Sequence, residues 1–229
     1  SLEAARKANR IYAVIQNRRY DPNIRRLRRL LDSDAIGPLT SVDADFYLGA
    51  HFGGFRAQMD HVLLLDMAIH TFDAARLISG ADPVRVYCRE WNSSGSWFAH
   101  GSNAVAVFEM TDGIVFTYRG SWCAEGMNTT WESDWRIVGE RGSVLWDGGE
   151  GIHGESVSQS ADFRSEISPL TIPDSAPDDR IGHHTGLMRE FIDRVRHGGE
   201  PETVAHDNIK SLAMVFGAID SASEGREIA

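Results

Sequence analysis

The spacing of apolar residues divides the chain into a helical first third and a longer stretch of short alternating segments. The first third predicts helices at residues 1–9, 21–33 and 61–79 and strands at residues 11–15 and 40–48. Asp21 followed by Pro22 is typical of a helix start, and Gly80 is a natural left-handed cap for the third helix. That helix is predicted to be buried, because its first half is apolar all round except at Asp66.

The remainder of the chain predicts a sheet followed by two helices. Alternating segments lie at residues 84–91, 103–110, 113–122, 133–138, 143–147 and 165–172, and helical spacing returns at residues 184–197 and 205–223. Hairpin turns are expected at residues 111–113 and 140–142. This order predicts one α+β domain over residues 1–229, a large, mostly antiparallel, open-faced sheet with helices packed on one face.

The aromatic residues raise the question of what covers the other face. All six tryptophans lie in the sheet half: Trp91, Trp97, Trp122, Trp131, Trp135 and Trp146. These rings either fill the core or meet a partner on the face that the helices leave open. We expect a homodimer or homotetramer joined through the sheet face, with aromatic residues of segments 103–122 and 133–147 as contacts.

Composition and charge narrow the class of protein. The 229 residues are 42% hydrophobic and 24% charged, which is typical of a folded globular protein and excludes a disulfide scaffold. The net charge of −10 disfavours nucleic acid and anionic membranes as partners. No apolar run has the length of a membrane span. The two cysteines, Cys88 and Cys123, suggest reduced thiols in a cytoplasmic protein, and we expect small-molecule substrates.

Two local patterns favour ordinary structural interpretations. Arginines crowd residues 18–29, but apolar residues interleave with them at helical spacing, which favours a solvated helix face over a polyanion site. Residues 149–154 satisfy G-x-G-x-x-G, yet that fingerprint requires a helix directly after it, and residues 155–160 form a poor helix. No cofactor-binding residue is therefore assigned in this chain.

Asp66, His70 and Asp73 are the candidate chemical residues. They sit at i, i+4 and i+7, so they project from one side of an otherwise apolar helix. Burying such groups without partners is costly, so three interpretations remain open. They form a structural Asp66–His70 hydrogen bond, a metal site together with His61, or a general acid/base. In the last, the carboxylate orients the imidazole and raises its pKa toward working pH.

The same residues carry a resemblance to a known family. Residues 66–73, Asp-Met-Ala-Ile-His-Thr-Phe-Asp, resemble the D-x-x-x-H-x-x-D motif in the second domain of Gfo/Idh/MocA-type oxidoreductases, the glucose–fructose oxidoreductase and inositol dehydrogenase superfamily. Residues 17–22 resemble the R-[RFY]-P start of that domain, residues 35–39 its I-G-x-[IL] strand start, and residues 136–143 its G-x-x-G-S hairpin. Residues 187–193 and 221–226 resemble its last two helices.

The resemblance implies the substrate-binding and oligomerisation domain of an NAD(P)-dependent oxidoreductase that acts on a sugar, cyclitol or related polyol. It implies that His70 is the acid/base that takes the hydroxyl proton, and that Asp66 orients His70 or the substrate. It also implies substrate binding by Arg18, through hydroxyl or carboxylate groups, by Trp131, through stacking on a sugar face, and by Asp73.

The resemblance also implies a cofactor bound elsewhere. Family members carry an N-terminal Rossmann domain with G-x-G-x-x-G and an E-K-P segment, and residues 1–20 resemble the segment that follows E-K-P. NAD or NADP is expected to bind mainly to that absent domain, so the chain alone is expected to be inactive. Residues 63–65, all leucine, replace the family's glycine run beside the nicotinamide. The alternatives are a non-catalytic binding or dimerisation module and a small metallohydrolase that uses His61, Asp66, His70 and Asp73.

Overall fold

The computed structural model describes residues 1–176 and 180–229, and these residues form one eight-stranded sheet with helices packed against it. The strands are β1 (Leu39–Tyr47), β2 (Pro83–Trp91), β3 (Asn103–Met110), β4 (Val115–Ser121), β5 (Asp134–Gly139), β6 (Gly142–Trp146), β7 (Ile152–Gln159) and β8 (Glu166–Pro169). Their order in the sheet is β2-β3-β4-β1-β5-β6-β7-β8. β1 runs parallel to β4, and the other described neighbours are antiparallel. The expected α+β fold with a mostly antiparallel sheet is confirmed.

The helices begin and end where local chemistry dictates. They are α1 (Leu2–Lys7), α2 (Pro22–Asp32), α3 (Ile69–Ser79), α4 (His183–His197) and α5 (Ala205–Glu224), and π-helical turns (Leu63–Ala68) lead into α3. The Asp21 side chain accepts hydrogen bonds from the backbone N–H groups of Asn23 and Ile24, which caps α2. Gly80 ends α3 in the left-handed conformation, with φ 70°. Both boundaries agree with the sequence prediction.

The hydrophobic core lies between the helices and one face of the sheet. Phe72 of α3 packs edge-on against Phe108, Phe116 and Tyr118, with ring centroids 4.9, 6.0 and 5.2 Å away. Strand alternation sends these rings to the helical side, and the aromatic residues of the predicted contact segments are all at most 3% exposed: Phe108, Phe116, Tyr118, Trp122, Trp135 and Trp146. The expectation that they form contacts on the open face is therefore wrong.

Two segments depart from the sequence prediction in secondary structure. Residues 11–15 form only an isolated bridge from Ala13 to Val204, and Tyr12 and Ile15 are 41% and 57% exposed, so the predicted buried strand is wrong. An apolar run makes a strand only when a sheet edge is available to pair with it, and the sheet's edges lie elsewhere. β7 was not predicted, because its Ser- and Gln-rich second half lacks apolar alternation.

The arginine-rich segment is more engaged than a solvated helix face. Arg18 and Arg19 are each 6% exposed, which overturns the expectation for these two residues. Arg25 lies 2.8 Å from the Glu202 carboxylate, and Arg26 donates to the backbone carbonyl of Pro173. The side chains of Arg25 and Arg26 are thus held by a carboxylate and a carbonyl of other segments.

Within the described residues, no helix has the length and apolar character needed to cross a bilayer.

Candidate functional site

Asp66, which lies just before α3, does not hydrogen-bond to His70 of the same motif. Asp66 lies in the π-helical turns, where the wider i→i+5 repeat breaks the α-helical alignment of positions i and i+4. Its Oδ2 accepts from Nε of Arg56 at 2.6 Å, and no Asp66–His70 hydrogen bond is recorded among the described residues. The structural pairing considered from the sequence is therefore replaced by an Asp66–Arg56 ion pair.

His70 is held in the neutral state by its surroundings. Its Nδ1 is buried and has no hydrogen-bond partner among residues 1–176 and 180–229. Burial, followed by the positive charge of Arg18, lowers the pKa of His70 to about 4, and the carboxylates of Asp73 and Asp66 oppose this only in part. The carboxylates raise this pKa as expected, but burial and Arg18 outweigh them, so the net shift is downward and not toward working pH. A neutral imidazole at neutral pH is a proton acceptor.

Arg18 lies against the helix that carries His70. It belongs to the 3₁₀ turn Asn17–Tyr20, and its Nε lies 2.8 Å from Oε2 of Glu132. Its two terminal nitrogens make longer contacts, 3.3 Å to Oγ1 of Thr71 and 3.8 Å to Sδ of Met67. Burial lowers the pKa of Arg18, and the charge of Glu132 raises it. The structure thus brings a buried guanidinium with poorly satisfied donors next to the histidine turn.

The segment between β4 and β5 carries Trp131, the expected stacking residue, and Glu132, the partner of Arg18. Trp131 is 47% exposed and packs against Phe52 with ring centroids 6.1 Å apart. The backbone carbonyl of Glu132 accepts from the indole N–H of Trp135 at 2.6 Å, and the hydroxyls of Ser133 and Thr71 are 3.2 Å apart. Sequence reasoning missed Glu132, because a lone acidic residue in an irregular segment has no periodicity. Its position beside Trp131 was the one available signal.

Asp73 is enclosed by polar side chains of the 3₁₀ turn and α5. Its carboxylate is buried and accepts from Nε and Nη2 of Arg19 at 2.7 and 2.8 Å, from the Asn208 amide at 2.8 Å and from the Ser211 hydroxyl at 2.6 Å. These four donors occupy both oxygens. Asp73 thereby fastens the 3₁₀ turn and α5 to α3, and the structure does not bring it together with Trp131 or Arg18 as a ligand-facing group.

The residues of the metal alternative do not converge. Nδ1 of His61 lies 2.5 Å from Oε2 of Glu90, Asp66 pairs with Arg56, and Asp73 is enclosed as described. In the part of the chain that the structure describes, no group of three or more His, Cys, Asp or Glu residues is arranged to hold a metal ion.

The G-x-G-x-x-G segment does not fit a dinucleotide. It lies in the hairpin between β6 and β7, and a strand rather than a helix follows it. The backbone N–H groups of Gly149 and Gly151 already donate to Oδ1 of Asp147, at 2.7 and 3.0 Å. The donors that a pyrophosphate would require are therefore in use.

The sequence model of a known family, the GFO/IDH/MocA C-terminal domain, matches residues 24–145 of this chain. The chain belongs to the GFO/IDH/MocA family. The resemblance drawn from residues 66–73 is confirmed, and the GFO/IDH/MocA C-terminal domain accounts for the sheet with helices on one face.

Two curated relatives and two solved structures illustrate the similarity. The uncharacterized protein y4oX of Sinorhizobium fredii is 27% identical over 235 residues, covering 99% of this chain and 64% of that protein. A D-apiose dehydrogenase of Paraburkholderia graminis is 27% identical over 243 residues, covering 99% and 61%. This GFO/IDH/MocA chain thus spans less than two thirds of the length of these relatives.

The solved structures share the fold. An oxidoreductase from Agrobacterium radiobacter, in complex with NAD+, L-tartaric acid and magnesium, has a TM-score of 0.81 at 22% identity, covering 99% of this chain and 67% of that one. An inositol dehydrogenase homolog from Azotobacter vinelandii, complexed with NADH and myo-inositol, has a TM-score of 0.76 at 18% identity, covering 99% and 66%.

Proposed function

We propose that this chain is the substrate-binding and oligomerisation domain of an NAD(P)-dependent oxidoreductase that acts on a sugar, cyclitol or related polyol. Membership of the GFO/IDH/MocA family supports the oxidoreductase class. The observation that carries the proposal is that the buried guanidinium of Arg18 contacts Thr71 and Met67, on the turns that carry the neutral His70. His70 and Arg18 together can accept a hydroxyl proton and stabilise the negative charge that develops on the oxygen.

In the proposed reaction, His70 takes the proton of a substrate hydroxyl while a hydride leaves the carbon that bears this hydroxyl. The positive charge of Arg18 stabilises the developing alkoxide and, after burial, is the second cause that keeps His70 unprotonated before the reaction. Asp66, fixed by Arg56, orients the substrate, and Trp131 presents a half-exposed ring on which a sugar face can stack. Asp73 takes no part in contacting substrate, and it holds the turn that presents Arg18.

The nicotinamide cofactor would supply the hydride acceptor, and the G-x-G-x-x-G segment of this chain does not fit its pyrophosphate. We therefore place NAD or NADP on the part of the longer relatives that this chain does not span. Of the leucines that replace the family's glycine run, Leu63 and Leu64 are buried in the core, so Leu65 is the one that partly faces outward.

A reconstitution experiment tests the proposed function. We expect the isolated chain to show no tight NADH binding by fluorescence titration and no polyol oxidation, and we expect both activities when a family Rossmann domain is supplied in cis. Micromolar NADH binding by the isolated chain would contradict the placement of the cofactor. Polyol binding without turnover in the fused protein would favour the non-catalytic binding module.

A further inference from the structure

The carboxylate that pairs with Arg18 belongs to Glu132, in the segment between β4 and β5 that also carries Trp131. Glu132 contacts Nε of Arg18 at 2.8 Å, and the two side chains are 21% and 7% exposed. The remaining guanidinium donors of Arg18 reach a hydroxyl and a thioether at longer distances. A buried arginine that still has free donor capacity binds further acceptors, and the charge of those acceptors depends on whether its positive charge is already matched.

We propose that Glu132 determines the charge class of the ligand, so that the site takes uncharged polyhydroxy compounds and an acidic ligand must displace Glu132 from Arg18. This inference rests on the proposed function, because it assigns the substrate class of the same site. Hydroxyl oxygens can accept from the terminal nitrogens of Arg18 without disturbing the ion pair. A ligand carboxylate would compete for the guanidinium and would meet the like charge of Glu132.

The geometry of the segment between β4 and β5 keeps Glu132 in place. Its backbone carbonyl accepts from the Trp135 indole, its backbone N–H donates to the Thr130 hydroxyl at 3.2 Å, and the following Ser133 adopts a left-handed backbone with φ 71°. Such fixed backbone positions limit how far the carboxylate can swing away from Arg18. An acidic ligand therefore competes with a group that is already positioned.

Substitution of Glu132 separates charge from shape. We would measure binding of myo-inositol, a neutral polyol, and of D-gluconate, a hydroxylated carboxylate, to the full 229-residue chain by calorimetry. The wild type is expected to bind myo-inositol and to bind gluconate at least about tenfold more weakly. Glu132→Gln is expected to reverse that preference. The matched control is Glu125→Gln, which removes an exposed carboxylate from the same segment and should behave as the wild type.

Thermal unfolding provides a measurement that does not depend on polyol binding. Glu132→Gln leaves the buried charge of Arg18 unmatched, so we expect a lower Tm that gluconate restores and myo-inositol does not. Equal gluconate binding by the wild type and Glu132→Gln, or a Tm of the variant that gluconate leaves unchanged, would overturn the inference. A third outcome is that gluconate restores the Tm of Glu132→Gln while the wild type does not bind myo-inositol. That outcome would support the role of Glu132 and contradict the proposed polyol substrate.

A pH series keeps the inference falsifiable if the variant does not fold. Burial raises the pKa of Glu132, and the charged or titratable groups that act on it are Arg18, Asp21 and His183. Gluconate remains ionised at mildly acidic pH, so protonation of Glu132 should release Arg18 and tighten gluconate binding to the wild type as the pH falls. His183→Gln should preserve this tightening. A wild-type affinity for gluconate that does not increase on acidification would contradict the inference.

Discussion

At the scale of single residues, the environment of His70 decides which proton state the site can use. Its imidazole sits on a helix against Arg18, with one nitrogen buried and unpartnered, and both features disfavour the charged form. The neighbouring carboxylates are committed to Arg56 and Arg19 instead. The proposed base is thus unprotonated over the whole neutral range.

The low pKa of His70 predicts a pH dependence of folding. The unfolded chain takes up the histidine proton near pH 6.5 and the folded chain only near pH 4, so the stabilisation is complete above about 6.5 and is lost as the pH falls through about 4. Urea unfolding between pH 7 and pH 4 should show that the wild type loses on the order of 2 to 3 kcal/mol more than His70→Gln. Parallel pH profiles for the two proteins would contradict the assigned environment.

At the scale of elements, the 3₁₀ turn Asn17–Tyr20 is joined to α3 and α5 by one buried carboxylate. Asp73→Asn leaves Arg19 buried with a weakened partner, and we expect a loss of about 3 to 5 kcal/mol in the free energy of unfolding. Asp193→Asn, at an exposed position of α4, is the control and should change stability by less than about 0.5 kcal/mol. Chemical denaturation measures both, and similar small changes would show that the Asp73 contacts do not hold the turn.

The elements also show how far the sequence could predict this structure. Local signals such as Asp21-Pro22 and Gly80 fixed helix ends correctly, because caps depend on a few adjacent residues. The segment at residues 11–15 failed, because strand formation depends on a neighbour far along the chain. In the site, the motif located His70 correctly on α3. The π-helical turns and the partner Glu132 could not be predicted, since both arise from packing between distant segments.

At the scale of the whole molecule, the face of the sheet opposite the helices is expected to join copies of the chain. The aromatic rings of segments 103–122 and 133–147 lie in the core, and this face presents exposed aliphatic and tyrosine side chains among charged ones: Tyr87, Val105, Val107, Val115 and Leu145. Tyr87 of β2 and Val107 of β3 lie directly opposite each other, and the charged residues Arg89, Arg119 and Glu109 lie beside Val105 and Val115.

Light scattering of the purified chain tests this surface. We expect a dimer or tetramer for the wild type, and a mass of one chain for Val107→Asp, because a charge at the centre of an apolar interface opposes association. Met188→Asp places the same charge on an exposed apolar position of α4 and should leave the oligomer intact. A wild type that is monomeric at micromolar concentration would contradict the proposed oligomerisation role.

The proposed function assigns the acid/base role to His70, in a polyol-oxidising enzyme of which this chain would be the substrate-binding part. The most direct test is the rate of NADH formation from a polyol by the complete two-domain protein, for wild type, His70→Ala, His70→Asn and Asp66→Asn, with Tm recorded for each. Both His70 variants are expected to lose about 10²- to 10⁴-fold in kcat with little change in Tm, and the loss should shrink at high pH. Asp66→Asn is expected to be less impaired. A His70→Ala enzyme that retains kcat, or that loses it only by unfolding, would show that His70 is not the acid/base.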